Sequence, residues 1–407
     1  MTTCRLCGSP EHTPFLDLGF TPPADSFLRP DQLDEPEKHY PLKVLRCNSC
    51  MFVYLSHVVA PEVLYRNEYP YESSMTSAGR SHFDTFAGSV VDSFGIAPGS
   101  LAVDIGSNVG VLLGGFKRRG CRALGIDPAE NIAQIAIKNG IPTVPEFFSP
   151  EIADKCAAEY GRAEVITATN VFAHVDDLNT FMRAIDILLA DNGIFIVEAP
   201  YLMHLLAELE YDTIYHEHLS YLSITPLIPF FKGCGFELFD VGQVDIHGGS
   251  NRLFIAREGV HKIRDIVPAL EREEKKRRIH ELDYLYDFSA RVRNNREDLM
   301  TLIGDLRQQG KRLAGVSAPA KGMTLLNYCG INGRHLEFIT EKSKLKIGRY
   351  APGNHLPVLP DSALHEQDID YALLLAWNFK DEIMANLREY RVKGGKFIIP
   401  IPEPRIV

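Results

Sequence analysis

SLAVDIGSNVG, residues 100–110, decides the fold of this 407-residue chain. Leu101 to Ile105 is a short apolar run that reads as a buried strand, and it empties into a turn carrying Gly106 and Gly110. Glycine is needed there so that the chain can turn sharply and its backbone can approach a ligand. The next apolar run, RALGID (122–127), ends on Asp127 and is followed by the helical PAENIAQIAIKNG (128–140). AEVITATNVFAHV (163–175) and NGIFIVEAPY (192–201) are further strands, and GFELFDVGQVDIHGGSNRLFIAR (235–257) reads as a terminal hairpin. Strand and helix signals alternating in this way predict a doubly wound α/β sheet, with its ligand at the carboxyl ends of the strands.

The loop has D-x-G-x-x-x-G spacing, Asp104, Gly106 and Gly110, where a dinucleotide-binding turn would show G-x-G-x-x-G. It resembles the cofactor loop of class I S-adenosylmethionine methyltransferases, whose sulfonium cofactor brings no pyrophosphate to cradle. That resemblance implies a cofactor site built from Asp104, Gly106, Ser107, Asn108, Gly110, Asp127 and Asn170. Asp127 lies about twenty residues past the loop, where a carboxylate can accept both ribose hydroxyls. The third strand brings Asn170 and His174 to the same edge.

Two regions flank this unit. Residues 1–56 hold Cys4, Cys7, Cys47 and Cys50 as two CxxC pairs, with few periodic apolar runs between them. Such a segment needs a staple, and four thiolates suit a closed, structural tetrahedral zinc site. The stretch LDLGFTPPADSFLRPDQLDEP (16–36) is expected to be a loop excursion closed by the metal. After residue 260 a long charged helix is expected over about 262–310. A second α/β series follows in RLAGVSAPAKGMTLLNY, LEFITEKS, DYALLLAW and GGKFIIPIP. The expected division is 1–56, 57–260 and 261–407: zinc-binding domain, central Rossmann-like domain, helical linker with a C-terminal Rossmann-like domain. Cys121, Cys156, Cys234 and Cys329 read as small buried hydrophobes.

The balance of 43 basic to 53 acidic residues, net −10, disfavours a nucleic-acid partner. No apolar run is long enough for a membrane span, and MTTCRLCGSP lacks the features of a signal peptide, so a cytoplasmic location is expected.

TIYHEHLSYLS (213–223) crowds Tyr215, His216, Glu217, His218 and Tyr221 together. This set can bind a metal, move a proton or satisfy itself in a core. A metal-dependent hydrolase would use His216 and His218, but no H-E-x-x-H supports it. A small-molecule O- or N-methyltransferase would share the cofactor loop, yet would not obviously need a second α/β domain.

The ordered set of Cys4 region, DIGSNVG, YHEH, HGGSNR and SAPAKG…GRYAPG resembles sugar C-methyltransferases that methylate carbon 3 of nucleotide-linked 4-keto deoxysugars. The resemblance covers essentially the whole chain. It implies a sugar site with His218, Glu217, Tyr215, His174 and Asn170, joined by Tyr69 or Tyr71 from NEYPYESSM. Glu217, if bonded to an imidazole, would fix its tautomer. It also implies substrate contacts at His247 and Arg252, and a diphosphate seat at Ser317, Lys321 and Arg349. His216, standing where family members carry an acid, has no assigned role.

Overall fold

The computed structural model describes residues 3–65, 77–244 and 249–407, so Tyr69, Tyr71 and His247 lie outside the described residues. The expected α/β architecture is present as three sheets. The first is antiparallel: β1 (His12–Thr21), β2 (Tyr40–Cys47), β3 (Val53–Leu55). Part of the expected loop excursion is therefore strand. Leu16 and Leu18 are buried with Asp17 exposed between them, and the register sets Leu16 opposite Val44 and Asp17 opposite Lys43. A later strand from the central unit completes this sheet, as described below.

The central sheet contains β4 (Leu101–Ile105), β5 (Arg122–Ile126), β6 (Thr143–Val144), β7 (Ala163–Thr169) and β8 (Leu189–Pro200). The chain then crosses to the first sheet with β9 (Ser220–Tyr221), which pairs antiparallel with β3. It returns with the expected hairpin, β10 (Phe236–Val244) and β11 (Ser250–Arg257). The order is β10-β11-β8-β7-β4-β5-β6, with β11 antiparallel to both neighbours. All five residues of β4 are buried, as a strand covered on both faces requires. Chain order reverses between β4 and β7, and there the crevice opens.

The charged stretch forms two helices, Ile266–Arg277 and Leu282–Gln308, broken where Arg278 takes φ +58°. Along the longer helix Leu285, Phe288, Val292, Leu299, Ile303 and Leu306 are buried, the spacing of one apolar stripe. Ser289 of this helix donates to the Phe15 carbonyl, 2.5 Å away, which ties it to the first sheet.

The third sheet is β12 (Leu313–Val316), β13 (Ile339–Glu341), β14 (Val358–Pro360), β15 (Tyr371–Leu374), β16 (Lys396–Ile399) and β17 (Arg405–Ile406). Its order, β14-β13-β12-β15-β16-β17, reverses between β12 and β15. No helix among the described residues is long and apolar enough to cross a membrane. Cys121, Cys156 and Cys329 are buried and Cys234 is half-buried.

Candidate active site

The four N-terminal sulfurs lie within 4.8 Å of one another. Cys4 and Cys50 are 3.5 Å apart, Cys7 and Cys47 3.6 Å. A tetrahedron with Zn–S bonds of about 2.3 Å needs sulfurs just under 4 Å apart, so the donor set fits zinc with every ligand position filled. The site is structural. Its sheet holds one wall of the cleft: Leu55 N–H donates to the Leu219 carbonyl at 2.9 Å, and Arg5 donates to the Leu55 carbonyl at 2.9 Å.

At the end of β4 the turn takes backbone conformations that suit a backbone-lined pocket. Gly106 (φ +66°) and Gly110 (φ +80°) occupy left-handed conformations. A Cβ on Gly106 would stand 2.4 Å from the Val171 side chain. Asp127 accepts the Asn108 amide at 2.8 Å and the Ala129 amide at 2.9 Å. Each carboxylate oxygen keeps a second lone pair. Asp104 is buried and accepts the Thr167 hydroxyl at 2.6 Å; burial pushes its carboxyl up to about 7. Ser107 Oγ is buried with no partner among the described residues. A glycine cradle, a ribose-type acid and an orphaned hydroxyl together fit an adenosyl cofactor. Asn170 follows β7 at φ +55°, its amide donating to the Glu198 carbonyl at 2.7 Å.

The segment 211–221 runs beside this edge, fixed at one end by the turn Tyr211–Thr213 and at the other by the β9–β3 pairing. His218 Nδ1 lies 2.7 Å from the Thr213 carbonyl. A carbonyl only accepts, so Nδ1 carries the proton and Nε2 the lone pair. The Tyr215 ring packs 4.0 Å from the His218 ring, and the His174 ring 5.1 Å on. Burial, then His218, holds His174 well below its ordinary range, so it is neutral. A small pocket of about 20 Å³ is lined by Asn170, His174, Thr213, His218, Ser220 and Tyr221.

Tyr65 is the residue that the sequence did not reveal. Its ring stacks on His174 at 6.0 Å and its hydroxyl lies 3.3 Å from His174 Nδ1. Burial, then Glu217 and Asp25, holds the phenol well above its ordinary range, so it stays a donor. The only signal in the sequence was its place just before NEYPYESSM.

Several expected residues stand elsewhere. His218 Nδ1 is held by the Thr213 carbonyl, and Glu217, next to it in the chain, bears on the Tyr65 phenol. Glu217 is buried on the wall of a larger cleft of about 680 Å³, shared with Asp25, Arg29, Gln32, Glu130, Asn131 and Arg349. Arg252 turns inward: its Nε and Nη2 donate to Glu198 at 2.9 and 2.6 Å, and its guanidinium lies 3.5 Å from the Phe86 ring centre. Lys321 Nζ lies 3.4 Å from Asp212 and 3.3 Å from Asn378 Oδ1, whereas Arg349 lines the cleft. Ser317 sits at φ +67° after β12. His216 packs: it is buried, edge-on to Tyr40, with Nε2 3.3 Å from the Tyr40 carbonyl, and burial lowers it to about 4.

Residues 245–402 match the family profile described as a C-methyltransferase C-terminal domain. Residues 85–241 match a methyltransferase domain and residues 4–65 a zinc binding domain. The C-methyltransferase NovU of Streptomyces niveus is 35% identical over 405 residues, covering 99% of this chain and 96% of that protein. A ubiquinone biosynthesis O-methyltransferase of Methylobacterium sp. (strain 4-46) is 31% identical over 98 residues, 24% of this chain and 39% of that one. Among solved structures, magnesium protoporphyrin IX methyltransferase from Synechocystis PCC 6803 with bound SAM aligns at 16% identity. It covers 44% of this chain and 79% of its own, with a TM-score of 0.33.

Proposed function

The chain belongs to the S-adenosylmethionine-dependent C-methyltransferases, and from that premise we propose that its substrate is a nucleotide-linked 4-keto deoxysugar methylated at carbon 3. The observation that carries the reading is the tautomer of His218: Nδ1–H is held by the Thr213 carbonyl, which leaves Nε2 as a base. A 4-ketone acidifies the hydrogen on the adjacent carbon, so a neutral imidazole can remove it at ordinary pH. His218 Nε2 takes the carbon-3 proton, and the electron pair it leaves moves into an enolate with its charge on the carbonyl oxygen.

Tyr65, Tyr215 and Asn170 are the donors near that position, and Tyr65 is held protonated by its burial. Fixed donors in a dry pocket stabilise developing oxyanion charge without reorganising. His174 stays neutral, which keeps a second positive charge away from the His218 imidazolium. S-adenosylmethionine, held by Asp104, Gly106, Ser107, Asn108, Gly110 and Asp127, supplies an electrophilic sulfonium methyl when bound. The chain's own task is to make a carbon nucleophile and hold it in line.

The 680 Å³ cleft is large enough for a nucleotide, and Arg29 and Arg349 on its rim suit a diphosphate. On a division at 1–56, 57–260 and 261–407, all three units contribute to its lining. The reading includes a cytoplasmic location, where the four cysteines outside the zinc site would stay reduced. The test uses S-adenosylmethionine labelled with carbon-13 on its methyl and a panel of thymidine- and uridine-diphosphate 4-keto-6-deoxyhexoses. Label on ring carbon 3 is the expected result; label on oxygen or nitrogen would overturn the reading.

A further inference from the structure

His218 takes its orientation from a turn whose side chains are buried in the other α/β domain. Resting on the reading of His218 as general base, we infer that the C-terminal domain positions that base: Trp377 and Lys321 lock Asp212, and Asp212 fixes the turn whose Thr213 carbonyl orients the imidazole.

Asp212 is fully buried, and its Oδ2 accepts the Trp377 indole N–H at 2.7 Å. Lys321, its side chain only 13% exposed, has its Nζ 3.4 Å from the same oxygen and 4.3 Å from the Trp377 ring centre. On the preceding residue, Tyr211 donates to Asn295 Oδ1 at 2.8 Å, and Asn295 Nδ2 donates to the carbonyls of Pro400 and Pro402, each at 2.9 Å. The turn closes on itself through Thr213 Oγ1, which donates to the Glu210 carbonyl at 2.7 Å. Next along the chain stands the carbonyl that holds His218 Nδ1. Two successive side chains are thus gripped by a different domain, and the third residue grips the base.

Lys321 and Trp377 follow β12 and β15, the strands between which the C-terminal sheet reverses. An open α/β sheet offers its ligand crevice at that reversal. Here Asp212 enters it, so the Lys321 charge meets a carboxylate of the same chain. If Lys321 were a phosphate seat, its loss would act mainly on KM for the nucleotide sugar. A positioning role acts on kcat, because it governs the geometry of proton transfer rather than ground-state binding.

Asp212→Ala would leave a buried ammonium and endanger folding. Trp377→Phe is the cleaner variant, since it keeps the ring beneath Lys321 and deletes one donor. The expected result is a fall in kcat of about tenfold, the scale of one lost buried hydrogen bond, with KM for S-adenosylmethionine unchanged. The acid limb of the kcat pH profile should also move to lower pH, because a looser Thr213 carbonyl stabilises the His218 cation less. Wild-type kcat and pH profile alongside a lower Tm would overturn the inference, as would a Lys321→Gln defect confined to KM for the nucleotide sugar. His218→Ala separates the two levels. If that variant still exchanges the carbon-3 proton, the reading of the base fails; if it is inactive and Trp377→Phe is normal, only the positioning fails.

Discussion

The central and C-terminal sheets have the same plan around their first strands, β6-β5-β4-β7-β8 and β14-β13-β12-β15-β16. Each reverses at one point, and the two reversals have opposite fates. Beside β4 the loop carries left-handed glycines and a buried Ser107 hydroxyl without a partner. Beside β12 the corresponding place is filled by Asp212, Trp377 and Lys321. Topology supplies a crevice in both halves. What distinguishes them is whether side chains from another part of the chain occupy the crevice.

A pair of glycine substitutions would break that contrast or sharpen it. Gly106→Ala adds a Cβ in a left-handed backbone, 2.4 Å from Val171, where neither backbone nor neighbour can yield easily. S-adenosylmethionine affinity by calorimetry should fall by on the order of a hundredfold, from about 2–3 kcal/mol of strain and crowding. Gly322→Ala places a Cβ 2.7 Å from the Leu375 Cβ in the C-terminal crevice. It should lower unfolding stability by about 1–3 kcal/mol and leave cofactor affinity alone. Equal loss of cofactor binding in both variants would mean that the two crevices are not functionally distinct.

A smaller effect concerns the segment that joins the two halves. His216 titrates near 6.5 when unfolded and at about 4 when folded. Between those values the unfolded chain binds the extra proton, so stability is intact above pH 6.5 and falls as pH drops toward 4. His216→Phe should make that fall shallower by on the order of 2 kcal/mol across the window, measured as Tm or denaturant midpoint. His280, also lowered to about 4 by burial, keeps its own share of the slope. Asp104 and Glu210, both raised to about 7 by burial, contribute with the opposite sign, losing stability as pH rises. The variant must therefore be compared with the wild type at each pH. An unchanged acid slope would show that His216 is not the buried neutral group described.

The features legible in the sequence were local. A glycine turn after an apolar run announces itself in eleven residues, SLAVDIGSNVG, and two CxxC pairs announce four thiolates. The Tyr65 contact with His174 spans 109 positions and the Trp377 bond to Asp212 spans 165. Neither leaves a periodic or spaced trace, because each arises only when separate sheets pack. Arg252 shows the same limit from the other side. Its motif HGGSNR marked it as a substrate contact, whereas cross-strand pairing with Glu198 turns its guanidinium inward. The long charged stretch hid its break at Arg278 because no glycine or proline marks the left-handed residue there.

The most direct measurement is exchange of the carbon-3 proton in deuterium oxide, followed by NMR on a nucleotide-linked 4-keto-6-deoxyhexose turned over by the panel assay, with S-adenosylhomocysteine in place of the methyl donor. The wild-type protein should wash deuterium into carbon 3. His218→Ala should slow that exchange by roughly 10²–10⁴-fold while still binding the cofactor product. Exchange at the wild-type rate in His218→Ala would contradict the assignment of His218 as the base.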